Sequence, residues 1–198
     1  MSGKGNSSIK NEIFTVPNIL VYIRIILIPI FVWLYLRAKT NEEYYVAFYV
    51  MVAGFVTDFL DGKIARHFNC VTDLGKTIDP IADKLYQFAV ALCLMVKYPL
   101  MLSVAAILFV KEISMGVMGL VLINKGGQVF GARWYGKVCT FFIDSVMAFL
   151  LLLPILDFEI KHIYIHLLIY ACDVILVFAS VMYTRLFASK IKALEENV

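Results

Sequence analysis

Six apolar stretches, each close to the length of a membrane-spanning helix, restrict the fold of this chain more than any other feature. They lie at residues 17–37, 44–66, 80–97, 99–123, 135–156 and 163–186. A hydrocarbon core of about 30 Å is crossed by about 20 helical residues. The runs of Ile, Leu, Val, Phe and Met do not alternate with polar residues as the strands of a membrane barrel do. The sequence therefore predicts an all-α polytopic membrane protein with six transmembrane helices.

The composition excludes several other classes of protein. Of the 198 residues, 62% are hydrophobic and 17% are charged, and the mean hydropathy is +0.84. Soluble domains have about 45–50% apolar and about 25% charged residues, and disordered chains are more polar still. The four cysteines form no CxxC pair, so neither a zinc site nor a redox dithiol is indicated.

The distribution of positive charge predicts the orientation in the membrane. Twelve of the 18 Lys and Arg residues fall on the side that holds both termini, and four fall on the opposite side. Positive loops stay in the cytoplasm, so we expect the termini and the loops 62–79 and 124–134 to be cytoplasmic, in a protein of the plasma membrane. The predicted domains are an interfacial segment at 1–16, a six-helix membrane domain at 17–188 and a cytoplasmic tail at 189–198.

Four aspartates cluster at the predicted membrane boundaries. Asp58 and Asp61 are three residues apart, and Asp79 and Asp83 are four apart, so each pair shares one face of a helix. We expect the second of these helices to start at Pro80. Ionised side chains in such places are expensive and usually functional. Carboxylate oxygens favour Mg²⁺ or Mn²⁺ over zinc, and four of them can hold the two ions used in phosphoryl transfer.

Small and basic residues follow the first aspartates. Gly62 and Ala65 share the helix face of Asp58, which leaves a slot where a base or diphosphate can approach the backbone closely. Arg66 offers a planar fork to a phosphate. From the carboxylates alone, an ion or proton pathway and a structural network of paired charges stay open as alternatives. The gathering of polar residues at one face favours metal–phosphate chemistry.

Residues 58–83 read DFLDGKIARHFNCVTDLGKTIDPIAD. This segment resembles the signature of the CDP-alcohol phosphotransferase family, D-x2-D-G-x2-A-R-x8-G-x3-D-x3-D, and all eight fixed positions are present. The resemblance implies a six-helix membrane enzyme, usually homodimeric, with its active site at the cytoplasmic face. Such an enzyme transfers a phosphatidyl-type group from a CDP-linked donor to an alcohol and releases CMP.

The resemblance also implies roles for particular residues. Two divalent cations, Mg²⁺ or Mn²⁺, are expected on the four aspartates of the signature: Asp58, Asp61, Asp79 and Asp83. Asp83 is in addition the expected general base, which takes the proton of the attacking hydroxyl. The cytidine diphosphate site is expected to be lined by Gly62, Ala65, Arg66 and Gly75.

A finer likeness concerns the substrates. The opening VPNILVYIRIILIPIF is similar to the start of the bacterial phosphatidylglycerophosphate synthases, a branch that uses CDP-diacylglycerol and glycerol 3-phosphate. Lys111-Glu112-Ile113 stands where that branch commonly has Arg-Glu-Ile, and Cys139 replaces the second lysine of its Gly-Lys-x-Lys-Thr. Other acceptors therefore stay open: phosphatidylglycerol, which gives cardiolipin, serine or an inositol phosphate. A cation transporter is the alternative from a different class.

Glycerol 3-phosphate carries its own phosphate, so its pocket is expected to need further cations. Four residues are candidates: Lys111, Arg133, Lys137 and Arg24. We expect the first three at the cytoplasmic ends of spans four and five, where anchoring by positive charge is the alternative explanation. Arg24, inside the first span, is expected to pair with the acidic cluster or with a substrate phosphate. Asp144 and Asp173 are expected to make polar contacts between helices, and no nucleic-acid partner is expected.

Overall fold

The computed structural model describes residues 16–67, 73–127, 131, 133–156 and 160–195 of the chain. Side chains are described for these residues except 16, 17, 58–67 and 73–77. The described residues form six helices and no strand: α1 Val16–Arg37, α2 Asn41–His67, α3 Asp73–Met95, α4 Met101–Asn124, α5 Trp134–Leu152 and α6 His162–Glu195. The predicted all-α class is confirmed.

Four helices in the described part of the chain are long and apolar enough to cross a membrane. They are Asn18–Arg37 within α1, Met101–Asn124, Trp134–Leu152 and His162–Glu195. The other two helices, α2 and α3, have 27 and 23 residues and rise about 40 and about 35 Å. They are long enough to cross a membrane, but they carry the charged residues of the acidic motif. The chain is a polytopic membrane protein, and the count of six crossings stays a prediction.

A reciprocal cap fixes the start of α2. The Glu43 backbone N–H donates to Thr40 Oγ1 at 3.3 Å, and the Thr40 N–H donates to Glu43 Oε2 at 3.2 Å. The Lys39 N–H donates to the same carboxylate at 2.6 Å. These backbone donors, Lys39 first and then Thr40, lower the pKa of Glu43. A threonine followed three residues later by glutamate is the sequence signature of this cap.

The boundary between α2 and α3 differs from the prediction. The helix α2 continues to His67, and α3 begins at Asp73 rather than at Pro80, which lies inside it. The expected loop at 62–79 is therefore largely helical. A proline in the second turn removes one backbone donor, and helices of membrane proteins tolerate this because neighbouring groups satisfy the freed carbonyl. Because α3 continues through Pro80, this proline does not mark the start of the helix.

The chain divides into two compact units. The first comprises residues 1–93 with 151–158, and the second comprises 94–150 with 159–198. In the first unit, the fully buried side chains of Phe31, Met51 and Tyr86 come from α1, α2 and α3. In the second unit, one hydrophobic cluster joins α4, α5 and α6 and contains the buried residues Leu122, Tyr135, Tyr183 and Phe187.

A glycine turn closes α4 within the second unit. Gly126 has a φ of 78°, a left-handed conformation that glycine adopts without steric strain. Its N–H donates to the Ile123 carbonyl, and the Gly127 N–H donates to the Leu122 carbonyl, both at 2.9 Å. This is the usual glycine termination of a helix.

Candidate active site

Two aspartates of the motif share one buried arginine in the first unit. Asp79 and Asp83 lie one helical turn apart on α3, and Arg24 reaches them from α1. The Arg24 Nη1 donates to Asp79 Oδ1 at 3.0 Å and also contacts Asp83 Oδ1. The arginine side chain is 1% exposed, whereas the two carboxylates are 37% and 33% exposed. Of the two roles expected for Arg24, the structure shows the pairing with the acidic cluster.

The charge balance of this group suits a hard cation. One guanidinium faces two carboxylates, and both carboxylates stay partly exposed. Asp79 and Asp83 offer only oxygen donors, which is the chemistry that Mg²⁺ and Mn²⁺ prefer. The residues present therefore fit a divalent ion, and Arg24 holds both donors from the buried side.

The helix that carries these aspartates is fixed to α2 by Tyr86. Its ring is 2% exposed, and its hydroxyl donates to the Val50 and Met51 carbonyls, both at 3.1 Å. The ring lies directly over Gly54, because a Cβ added there would be 2.5 Å from the hydroxyl oxygen and 2.8 Å from Cε1. Gly54 stands one turn before the first aspartate of the motif. Sequence reasoning missed this contact, for which a glycine among bulky residues was the only signal.

Several predicted site residues lie outside the described side chains. They are Asp58, Asp61, Gly62, Ala65, Arg66 and Gly75, whose backbone is helical in α2 or α3. Among the side chains that are described, no group of three or more His, Cys, Asp or Glu could hold a metal ion. The full four-aspartate metal site therefore stays a prediction.

Lys111, in the second unit, lies near the middle of α4. About 20 Å of helix separate it from Asn124 at the helix end, so the expected position at the cytoplasmic end was wrong. The side chain is 8% exposed, and its Nζ lies 2.5 Å from Glu112 Oε1. Together with Ser114 it lines an open groove of about 330 Å³ between α4 and α6. The ion pair with Glu112 allows the apolar helix to continue past the lysine.

Arg133 and Lys137 stand at the start of α5, and both are exposed. The Lys137 N–H donates to the Arg133 carbonyl at 3.2 Å, which closes the first helical turn and puts the two residues on one face. The first turn of α5 contains no acidic residue. These cations belong to the second unit and the aspartates to the first, and their expected meeting stays a prediction.

The expected polar contact of Asp173 is present. Its Oδ2 accepts a hydrogen bond of 2.7 Å from Ser103 Oγ, which links α6 to the start of α4. The cysteines Cys93, Cys139 and Cys172 are buried free thiols.

These observations define a helical membrane protein whose described candidate site is a pair of partly exposed carboxylates on α3, held by a buried arginine of α1. Residues 14–186 match the CDP-alcohol phosphatidyltransferase family. The match covers well over half of the chain, and the chain belongs to this family, which confirms the resemblance drawn from the aspartate motif. Members of the family act on CDP-alcohols and alcohol acceptors in membranes, generally with divalent metal ions.

Three relatives show the range of activities nearby. The chain is 34% identical to a cardiolipin synthase (CMP-forming) of Streptomyces coelicolor, over 72% of this chain and 66% of the relative. It is 30% identical to a probable phosphatidylglycerophosphate synthase of Mycobacterium tuberculosis, over 73% and 68%. It is 33% identical to the CDP-diacylglycerol–glycerol-3-phosphate 3-phosphatidyltransferase of Bacillus subtilis, over 74% and 81%. The predicted enzyme type is thus supported, and relatives named for two different activities are similarly close.

Proposed function

We propose that this chain transfers the phosphatidyl group of CDP-diacylglycerol to glycerol 3-phosphate, giving phosphatidylglycerophosphate and CMP. The observation that carries the proposal is the pairing of Asp79 and Asp83 with the buried Arg24, because it fixes two carboxylates of the family motif side by side. The names of the Mycobacterium and Bacillus relatives support the choice of acceptor. The setting is the plasma membrane, with the site on the cytoplasmic side and the enzyme a homodimer.

In the proposed reaction, a hydroxyl oxygen of the acceptor attacks the phosphorus that bears the diacylglycerol. Its proton passes to the Asp83 carboxylate, which acts as general base. The bond from phosphorus to the bridging oxygen breaks, and CMP leaves with the electron pair. Arg24 orients Asp83 through its contact with Oδ1. Catalysis of this kind depends mainly on positioning and on charge stabilisation.

The metal and donor sites follow the family motif. The four aspartates would hold the two ions expected from the resemblance: Asp58, Asp61, Asp79 and Asp83. When bound, such ions neutralise the diphosphate and stabilise the leaving group. Gly62, Ala65, Arg66 and Gly75 would line the cytidine diphosphate, with the small residues leaving room for close approach.

The acceptor phosphate is assigned to the start of α5. Arg133 and Lys137 are exposed on one helix face, where the positive end of the helix dipole disfavours cations. An anionic ligand would offset that repulsion, which supports a phosphate-binding role over simple anchoring. Lys111 has a weaker claim because it is buried and paired with Glu112, and Arg24 has a weaker claim because it is paired with both aspartates.

Synthesis of cardiolipin is the second candidate. It is favoured by the 34% identity to the Streptomyces cardiolipin synthase and by Cys139, which removes a lysine that the glycerol-3-phosphate branch commonly has. Phosphatidylglycerol would then be the acceptor, and the CMP-releasing chemistry would be the same. Fewer cations are needed there, because a phosphodiester carries less charge than a phosphomonoester.

An acceptor panel tests the proposal. Purified enzyme with CDP-diacylglycerol and Mg²⁺ is given glycerol 3-phosphate, phosphatidylglycerol, serine or an inositol phosphate, and CMP release is measured. We expect release with glycerol 3-phosphate, its arrest by excess EDTA and its recovery with Mg²⁺ or Mn²⁺. Release with phosphatidylglycerol alone would establish the second candidate. Ion flux through vesicles without any CMP release would instead indicate a transporter.

Substitution of Asp83 provides the sharpest test of the proposed mechanism. Asp83→Asn keeps the shape of the side chain and should lower turnover by about 10²- to 10⁴-fold, the usual contribution of a general base. Asp173→Asn is the matched control, since it removes a carboxylate that the proposed mechanism does not use. Wild-type turnover in Asp83→Asn would remove this residue from the mechanism.

A further inference from the structure

The start of α5 is held in place by a tyrosine of α6. Tyr183 is 4% exposed, and its hydroxyl oxygen accepts a hydrogen bond of 3.1 Å from the Arg133 backbone N–H. The Arg133 carbonyl in turn accepts from the Lys137 N–H at 3.2 Å. The backbone of Arg133 is therefore hydrogen-bonded directly to the Tyr183 hydroxyl, and the backbone of Lys137 is linked to it through Arg133.

The same ring rests on the glycine between these cations. A Cβ added at Gly136 would overlap the Tyr183 hydroxyl oxygen and lie 3.0 Å from Cε2 and Cζ. On its other side, the Tyr183 ring packs edge-on against Tyr135, with centroids 4.8 Å apart. Leu122 and Phe187 complete the buried cluster around the two rings. Tyr183 therefore has little freedom to move, and the first turn of α5 cannot shift without disturbing it.

We infer that Tyr183 is a positioning residue for the acceptor: it sets where Arg133 and Lys137 stand, and so how well they bind the phosphate of a phosphorylated alcohol. The inference rests on the proposed function, which assigns that phosphate to these cations. In this proposal Tyr183 does not touch the substrate, because its side chain is only 4% exposed. Its effect reaches the acceptor through the backbone of the first turn of α5.

Steady-state kinetics of Tyr183→Phe tests the inference. The variant keeps the ring and removes only the oxygen that accepts from Arg133. We expect the KM for glycerol 3-phosphate to rise about 5- to 10-fold, which matches the net contribution of one hydrogen bond. The KM for CDP-diacylglycerol and kcat should stay within about twofold. Tyr170→Phe is the matched control, since that tyrosine of α6 is 52% exposed.

A second variant perturbs the same contact from the other helix. Gly136→Ala pushes against the Tyr183 hydroxyl and should also raise the KM for the acceptor selectively. Gly119→Ala is its control, since a Cβ there would meet nothing within 4 Å. The double variant Tyr183→Phe with Arg133→Gln should lose less than the two single effects combined, because part of the effect of Tyr183 acts through Arg133 and the rest through Lys137.

The outcomes separate this inference from the proposed function. An unchanged KM for glycerol 3-phosphate in Tyr183→Phe would overturn the inference, as would an equal loss for donor and acceptor together with a lower thermal stability. If the wild-type enzyme released no CMP with glycerol 3-phosphate, the proposed function would be wrong. If it used phosphatidylglycerol instead, the same comparison of KM values for that phosphodiester would decide the role of Tyr183.

Discussion

Gly54 is the position where a single methyl group should disturb the candidate active site most informatively. In Gly54→Ala, the new Cβ would lie 2.5 Å from the Tyr86 hydroxyl oxygen and 2.8 Å from its Cε1. The Tyr86 ring cannot swing aside freely, because its hydroxyl donates to two carbonyls of α2. Phe31 and Phe55 also pack against it, with ring centroids 6.3 and 5.8 Å away. We therefore expect α2 and α3 to move apart locally.

Two opposing contributions set the size of the effect. Overpacking a buried contact destabilises by about 1–3 kcal/mol, whereas replacing a helical glycine by alanine stabilises by about 0.5–1 kcal/mol. With the ring fixed on several sides, we expect a net loss of about 1–2 kcal/mol. This corresponds to a melting temperature about 2–8 °C lower for a chain of this size. Activity should fall more than 10-fold, because small displacements of catalytic groups are costly.

The assay is thermal unfolding of the purified protein in detergent, alongside CMP release. Gly119→Ala supplies the comparison, since its Cβ has open space and should raise the stability by about 0.5–1 kcal/mol. The two glycines should thus respond with opposite signs. In a double-mutant cycle, Gly54→Ala should be harmless once Tyr86→Leu has removed the ring. Equal stabilisation by Gly54→Ala and Gly119→Ala would refute the reasoning.

Three further predictions concern contacts outside the aspartate motif. The pKa of Glu43 is lowered in the folded state, so its stabilising charge is present at neutral pH and is lost as the pH falls through that lowered pKa. The difference in melting temperature between wild type and Glu43→Gln should therefore vanish on acidification. A difference that stays constant with pH would contradict the role of Glu43 in the cap. Ser103→Ala should destabilise by about 1–3 kcal/mol, because Asp173 loses its donor, and adding Asp173→Leu should recover most of the loss in thermal unfolding. Lys125→Ala breaks an exposed ion pair with Glu195 and should change the stability by less than about 1 kcal/mol, so a larger shift in the same assay would show a role beyond the pair.

The acidic face of α3 could be predicted correctly from the sequence, because which residues share a helix face depends only on their spacing. Two residues four apart share a face whatever surrounds them, and Asp79 and Asp83 accordingly meet the same guanidinium. Arg24 could also be singled out, since a charge inside an apolar stretch needs a partner. Its partner could not be chosen from sequence, because the contact joins residues 55 and 59 positions apart.

Helix ends and the depth of Lys111 were less predictable. Pro80 is a common first residue of a helix, but α3 starts at Asp73, where the sequence Thr72-Asp73 is also a common start signal. Lys111 was expected at the cytoplasmic end of the fourth span but lies near the middle of α4. Its charge is accommodated within α4 by the neighbouring carboxylate of Glu112. The only sequence signal for this ion pair is that the two residues are adjacent.

The contacts that sequence reasoning missed share one physical arrangement. In each unit, a buried tyrosine of one helix covers a glycine of another: Tyr86 over Gly54, and Tyr183 over Gly136. Each hydroxyl bonds to backbone within four residues of that glycine, so the polar tip is satisfied where the missing side chain allows close approach. A single glycine in an apolar helix therefore does not reveal from sequence alone which tyrosine packs on it. Since both glycines precede charged residues of the candidate site by one turn or less, substitutions there should affect catalysis and substrate binding before they unfold the protein.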